Sequence, residues 1–397
     1  MRVLYNISMS LIWLLAQVYS LFDKKTKLFV ELRKNQKILS KENVVLFHCS
    51  SLGEYETIKY FIRVYKEKNK NSSIFLSAFS PSLQRHNIDF NFIDCFFYLP
   101  IDSTRNAKKI ISLINPKKVF FVKKEIWFNY IFEISKRKIP LYLISGKFKK
   151  KDKIFCSNWM TNHLKMFDFI FTNDYESNDV LKSKNIYNYI FSGDTRFDSI
   201  SNNKKGNINL KRINDFCGDK DIIVFGSVYR EDLRLIDDFI TKNNSYKYLI
   251  AFHDDCKKNN EILKKYNYEN YSDNSQNKAN IMIIDEFGIL KNLYKFAKIV
   301  YVGGGFNNGI HNILEPISFG NPVLFGPKFK NFDEAKKAIR LGIAIAVSNK
   351  NEFEVSVEKF KNFDRTKSRK YFKSNLGASN NIMLEIEKEE RKKREVN

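Results

Sequence analysis

Short apolar runs recur along the chain, each followed by a longer charged stretch with helix-like character. In the first half the runs fall at Val44 to Phe47, Ser73 to Ala78, Phe96 to Leu99, Lys118 to Val122, Leu141 to Ile144, Phe167 to Phe171 and Tyr189 to Ser192. In the second half they fall at Ile222 to Phe225, Tyr248 to Phe252, Ile281 to Ile284, Ile299 to Val302, Val323 to Phe325 and Ile343 to Val347. Continuous apolar runs bounded by turn residues read as buried strands, and their alternation with helical segments predicts parallel sheets covered by helices. Between the two sets lies Ser199 to Leu210, SISNNKKGNINL, polar and without periodicity, which reads as a linker. The expected fold is α/β, with two Rossmann-like, doubly wound domains and a cleft between them. The divisions expected are 1–40, an N-terminal anchor and basic segment; 41–205, a first domain; 206–380, a second; and 381–397, a charged helical tail most simply read as a solvated end.

The first segment breaks the rhythm. Val3 to Phe22 carries no charge and is followed by Asp23-Lys24-Lys25-Thr26-Lys27. Its length is near the roughly 20 residues that cross a bilayer. No small-residue cleavage site follows, which disfavours a signal peptide. A single span and a helix lying in one leaflet with its lysines on headgroups both remain, and both put the body of the protein on the Lys-rich, cytoplasmic side.

Composition adds an acidic partner to this picture. The 397 residues exceed one ordinary domain and carry a formal net charge of +24, which favours nucleic acid, an anionic membrane or a phosphorylated substrate. The lysines are spread along the chain rather than gathered into a patch, and no nucleic-acid recognition motif is present, so a nucleic-acid partner is not expected. The five cysteines are far apart with no C-x-x-C pair, so neither a zinc site nor a disulfide framework is indicated.

Chemistry gathers where predicted strands end. The strand Ile299 to Val302 breaks into Gly303, Gly304 and Gly305, and glycines there admit a ligand close to the backbone. His311 and Asn312 then stand where a helix should begin, with Glu315 at a capping-box spacing from Asn312. Such an end suits a phosphate, and Glu315 suits a ribose, although a triple glycine is equally compatible with a purely structural turn. In the first half, Val44 to Phe47 runs into His48-Cys49-Ser50-Ser51-Leu52-Gly53-Glu54. Glu54 opens a helix beside an unobstructed Gly53, a place for a general base, or for an acid that merely complements the helix dipole.

The whole block from Gly303 to Pro327 resembles the nucleotide-sugar signature of GT-B glycosyltransferases, and within them the transferases of 3-deoxy-D-manno-octulosonic acid (Kdo) that act on lipid A precursors. Gly303-Gly304, His311-Asn312, Glu315-Pro316, Gly320, Pro322-Val323 and Phe325-Gly326-Pro327 match, with Ile310 replacing a Gly. HCSSLGE resembles the same family's His-x-x-Ser-x-Gly-Glu, which implies Glu54 as the acceptor-activating base, with Ser51 and Gly53 on the acceptor side. Glu125-Ile126-Trp127-Phe128-Asn129 is similar to Glu-Ile-Trp-Pro-Asn, implying that Glu125 supports the transition state; Lys123 departs from an acid found there. Gly193 to Asp198 is similar to Gly-Asn-x-Lys-Phe-Asp, implying that Arg196 meets developing negative charge.

For the donor, the resemblance implies contacts from Ser227, Phe252, His253, Phe287, Gly288, Ile289, Gly304, Asn312, Ile313, Leu314 and Glu315, with Tyr229 and Ile289 as further departures. The implied activity is inverting transfer of Kdo from CMP-Kdo to the lipid A precursor, without metal or cofactor, on the cytoplasmic side of the inner membrane. The similar enzymes carry a membrane-associating N-terminal helix, which favours the shallow anchor, and in GT-B folds the terminal helices often cross back to the first domain, the alternative to a solvated tail. A GT-B epimerase or hexosyltransferase would share the Gly-rich block but not the anchor combined with HCSSLGE. A basic nonenzymatic membrane or nucleic-acid binding protein is the remote alternative.

Overall fold

The computed structural model describes residues 1–34, 36–202, 210–253, 263–273, 279–286 and 288–395. It divides into two compact units, one of residues 1–199 with 375–397 and one of residues 200–374.

The first unit is built on seven strands: β1 (Val44–Cys49), β2 (Ser73–Ala78), β3 (Cys95–Tyr98), β4 (Lys118–Val122), β5 (Leu141–Gly146), β6 (Phe169–Thr172) and β7 (Tyr189–Phe191). They pair in parallel in the order β3-β2-β1-β4-β5-β6-β7. Successive residues of a strand point to opposite faces. Leu46, Val119 and Leu143 accordingly enter one core, while Phe47, Phe120 and Tyr142 enter the other. Helices must therefore cover both faces, which is why these strands read as unbroken apolar runs. Phe47 and Phe120 stack at 4.7 Å in the second of these cores.

The terminal helix Ala378–Glu395 belongs to this unit. The tail, most simply read as a solvated end, instead follows the alternative of a helix crossing back to the first domain and buries Ile382, Met383 and Ile386 in that same core. Apolar residues at positions 382, 383 and 386 share one helix face, and the surrounding charges masked that stripe. Asp198 caps this helix, accepting from the backbone N–H groups of Gly377 and Ser379, each at 2.7 Å.

At the other end, Arg2–Tyr19 forms a helix with one polar row bound to the first unit. Tyr5 donates to Asp102 at 2.8 Å, Asn6 to Thr104 at 3.1 Å and Arg2 to Asn129 at 3.2 Å. Asp102 is fully buried, and burial pushes its carboxyl up to about 6. The remaining faces leave Val3, Leu4, Ile7, Leu11 and Leu15 more than half exposed. Among the described residues no single helix is long and apolar enough to cross a membrane; Arg2–Tyr19 and Lys24–Lys34 qualify only as a pair bent by 119°.

The second unit carries β8 (Asp221–Val228), β9 (Tyr246–Phe252), β10 (Tyr268–Asn270), β11 (Ile281–Ile284), β12 (Ile299–Val302), β13 (Val323–Phe325) and β14 (Ala344–Ala346). They too are parallel, in the order β10-β11-β9-β8-β12-β13-β14. Three-residue β10, YEN, has no apolar run and escapes a pattern search. Of the expected linker, Ser199 to Asn202 continues the helix Thr195–Asn202, and residues 203–209 lie outside the described residues.

Candidate active site

In both sheets the first strand lies between the strand that follows it and one from the far half, β2-β1-β4 and β9-β8-β12. A strand flanked in this way has its two neighbours' connections leaving in opposite directions, and a crevice opens at its carboxyl end. The residues singled out from sequence follow the carboxyl ends of strands in these two sheets.

At the end of β1 the chain turns through Ser50 and Ser51 into the helix Leu52–Lys68, of which Glu54 is in the first turn. Glu54 folds back to accept the Ser50 N–H at 2.6 Å. Ser51 caps the helix through its backbone, its carbonyl accepting from Glu54 and Tyr55. A Cβ at Gly53 would meet no atom within 4 Å, so that side of Glu54 is open. Glu125 follows β4 and accepts from the Trp127 indole N–H at 2.8 Å. Its oxygen also stands 3.8 Å from Nε2 of the fully buried His48, whose Nδ1 lies 2.9 Å from the Ser77 hydroxyl.

The two glutamates are therefore unlike. Burial, and then the charge of Glu125, pushes the Glu54 carboxyl up to about 7. Burial works on Glu125 as well, but the nearby His48 ring and bonds from Ser50 and Trp127 outweigh it and hold that carboxyl below its usual range. Two neighbouring carboxyls with separated affinities for protons form an acid–base pair, one staying ionised while the other exchanges a proton near neutrality. Burial lowers His48 as well, against the opposing pull of Glu125.

Two cations complete this end of the sheet. Lys123 leaves β4 with φ of 57°, a left-handed conformation that few side chains adopt. Burial lowers its ammonium against the pull of Glu54. Arg196 is bound through Nε and Nη2 to the Asp194 carboxylate, at 2.9 and 2.7 Å. Its fork thus arrives already engaged with Asp194, whose carboxyl is buried yet held low by that guanidinium.

In the second unit the glycines are demanded by close approach. A Cβ on Gly303 would stand 2.3 Å from the Ser227 carbonyl oxygen, and Gly304 has φ of +91°. Buried Asp232 ties the loops together, accepting from the Tyr301 hydroxyl at 2.7 Å, Tyr229 N–H at 2.9 Å and Gly304 N–H at 3.0 Å. Sequence reasoning passed over Asp232, although an acid in a helix's first turn was visible there. It also passed over Asp194 as the partner of Arg196, and over His48, whose role depends on strand pairing.

The expected helix after Asn312 is only Leu314–Ser318. Asn312 Oδ1 accepts from Leu314 N–H at 3.0 Å and its amide donates to Glu315 at 3.2 Å. The expected capping box is not formed: the N-cap is Ile313, without a side-chain cap bond, and Asn312 one residue earlier engages one N–H group of a helix too short for a substantial dipole. The side chains of Phe252, Ile289, Ile313 and Leu314 are buried, so only their backbone can meet a ligand. Ile310 is buried as well. Ser227 has φ of 55°, Gly288 has φ of 84°, and Phe287 lies outside the described residues. Among the described residues no group of three or more His, Cys, Asp or Glu is placed to hold a metal ion.

Comparison with known proteins places this arrangement. Residues 24–199 match the family model described as 3-deoxy-D-manno-octulosonic-acid transferase (kdotransferase). The chain is 28% identical to the 3-deoxy-D-manno-octulosonic acid transferase of Aquifex aeolicus, over 77% of this chain and 82% of that protein. It is 24% identical to the enzyme of that name from Rickettsia prowazekii, over 82% and 76%. A bifunctional glycosyltransferase/methyltransferase of Fusobacterium nucleatum is 28% identical over 84% of this chain, which spans 56% of that longer protein. The fold is that of a UDP-N-acetylglucosamine 2-epimerase from Neisseria meningitidis solved with UDP-GlcNAc (TM-score 0.61, 17% identity, covering 87% of this chain and all of that one). A Listeria monocytogenes protein described as a putative enzyme of the same kind gives a TM-score of 0.65 at 12% identity, covering 89% and 98%. With a family-model match over residues 24–199 and relatives of that name along most of its length, the chain is similar to the Kdo transferases, and its two parallel seven-stranded sheets share the fold of the sugar-nucleotide epimerases above.

Proposed function

We propose that the protein transfers Kdo from CMP-Kdo to the lipid A precursor, with inversion at the anomeric carbon. The observation that carries this reading is the Glu54–Glu125 pair, with one carboxyl raised to about 7 and its neighbour held ionised. Attack by an alcohol requires a base that is substantially ionised near neutrality yet basic enough to take the proton, and Glu54 meets both conditions. In this reading Glu54 removes the acceptor hydroxyl's proton as the oxygen attacks the anomeric carbon, and CMP leaves from the opposite face. Glu125 remains ionised and favours the positive charge that develops on the sugar ring. Arg196 and Lys123 supply positive charge for the anionic substrates.

The acceptor is a lipid, which gives the N-terminal helix a role. We assign its exposed apolar faces to one leaflet on the cytoplasmic side of the inner membrane, with the lysines that follow on lipid headgroups. No nucleic-acid partner is proposed.

The test is turnover of CMP-Kdo and lipid A precursor by the purified protein in detergent, following CMP release and lipid mass. A mass gain of one or more Kdo units, lost in Glu54→Gln while CMP still binds, supports the reaction and the base together. CMP binding with unchanged lipid rejects the acceptor.

A further inference from the structure

The helix Lys24–Lys34 sends Arg33 into the first unit, where it is 8% exposed. Among the described residues no carboxylate pairs with it. Its guanidinium donates to three main-chain carbonyls, that of Leu99 through Nε at 3.1 Å, that of Phe29 through Nη1 at 2.8 Å and that of Phe79 through Nη2. Leu99 follows β3 and Phe79 follows β2, so one buried cation ties the helix to the carboxyl ends of two neighbouring strands. Aromatic faces close around it, the guanidinium carbon lying 3.6 Å from the Phe29 ring centroid and 4.6 Å from that of Phe79. A cation taken out of water carries a penalty that an apolar side chain in the same space would not, so the charge answers some demand beyond packing.

That demand lies on the far side of Phe79. Its ring meets the Trp127 indole, with centroids 4.5 Å apart at 50°. Phe79 follows β2 and Trp127 lies beyond β4, with β1 between those strands, so the two rings meet across the carboxyl end of β1. At that end the Ser50 carbonyl accepts from Phe79 N–H at 3.3 Å and from Ser80 N–H at 2.6 Å, while Ser50 N–H donates to Glu54. His48 also meets the indole, edge to face, at 5.5 Å and 88°. The indole nitrogen stands 2.8 Å from Glu125, and its bond is one of those that hold that carboxyl low.

An indole can turn about its side-chain bonds, and a turn that carries the N–H away leaves Glu125 without that donor. A packed neighbour that is itself fixed blocks such a turn. We propose that Arg33 and Phe79 are positioning residues for Glu125: Arg33 fixes the Phe79 ring, and that ring keeps the Trp127 indole N–H on the carboxylate. Both act through Trp127, and neither belongs to a motif singled out from sequence. The inference rests on the role given to Glu125 in the reading above and adds what holds that carboxylate in its ionised form.

Turnover and carbon-13 titration of the glutamate side chains test this in the full chain, using Phe79→Ala, Phe79→Tyr, Arg33→Lys, Trp127→Phe and the double variant Phe79→Ala with Trp127→Phe, with melting curves to establish that each is folded. Phe79→Ala should lower kcat about tenfold while both KM values stay within about twofold of wild type, and Phe79→Tyr, which keeps the ring, should recover the loss. Once Trp127→Phe has removed the indole N–H, adding Phe79→Ala should cost less than about twofold more, because both changes remove the same bond. Glu125 should titrate higher in Phe79→Ala than in wild type, a readout that needs no turnover. Arg33→Lys keeps the charge but not the planar fork, and should move Glu125 in the same direction. Phe79 is only half-buried, so Phe79→Ala decides the matter even if Arg33→Lys fails to fold. Losses that multiply in the double variant overturn the proposal, as does a Glu125 titration unchanged in Phe79→Ala. Wild type that transfers no Kdo removes the reading above, whereas the Glu125 titration still decides the positioning.

Discussion

The two sheets share a layout and differ in what their strand ends carry. Where β1 and β4 end, the chain presents ionisable side chains whose proton affinities are set by burial and by one another, Glu54 high and Glu125 low. Where β8 and β12 end, it presents backbone and rings: Gly303 against the Ser227 carbonyl, Gly304 bonded to Asp232, and the stacked rings of His253 and His311. In the proposed reading the equivalent crevice serves proton transfer in one unit and ligand seating in the other. Side-chain chemistry can be removed by an isosteric change without altering shape, whereas a seat built from backbone fails when an atom is added.

That contrast can be broken at several strengths. Glu54→Gln keeps the shape and removes the base, so transfer should fall by about 10³-fold with CMP affinity unchanged, read as kcat against calorimetric binding. Gly303→Ala does the reverse: a Cβ 2.3 Å from backbone oxygen must displace β8 or the loop, which costs about 1–3 kcal/mol and abolishes CMP binding. Unfolding followed by hydrogen exchange should show the loss confined to residues 200–374. Trp127→Phe removes the indole bond to Glu125 and should lower turnover about tenfold, equivalent to roughly 1.4 kcal/mol, without changing donor affinity.

Smaller effects sharpen the electrostatics. Lys123→Met removes a charge that lowers Glu54, so the rise of activity with pH should move to higher pH. Stability should show the same group. The folded Glu54 value lies above the ordinary 4.5, so its stabilising share is full below about 4.5 and is lost as pH rises through about 7. Glu54→Gln escapes that loss. Its melting temperature should exceed that of wild type by a few degrees at pH 8, relative to their difference at pH 4.

The alternation of apolar runs revealed the parallel sheets because a strand buried on both faces must be apolar at every position, as Phe120 and Phe121 are on opposite sides of β4. It missed β10, a polar edge strand, and the buried stripe of the terminal helix, whose apolar positions are outnumbered by charges. Glu54 and Glu125 stood out through the family resemblance of their motifs, since position near a strand end alone fits an ordinary helix-start acid as well. Asp232 and His48 were not. Their significance lies in who faces them: three donors from separate segments converge on Asp232, and strand pairing sets His48 beside Ser77. Asn312 shows the opposite failure, since its spacing suggested a capping box whereas the N-cap is Ile313 and the helix is only the five residues Leu314–Ser318.

The most direct test of the central claim is a pH titration of the glutamate side chains by carbon-13 NMR, taking the difference between wild type and Glu54→Gln. One carboxyl titrating near 7, present only in wild type, is the predicted result. A difference signal titrating near 4.5 would show that Glu54 is an ordinary carboxylate and would contradict its assignment as a base tuned by burial and Glu125.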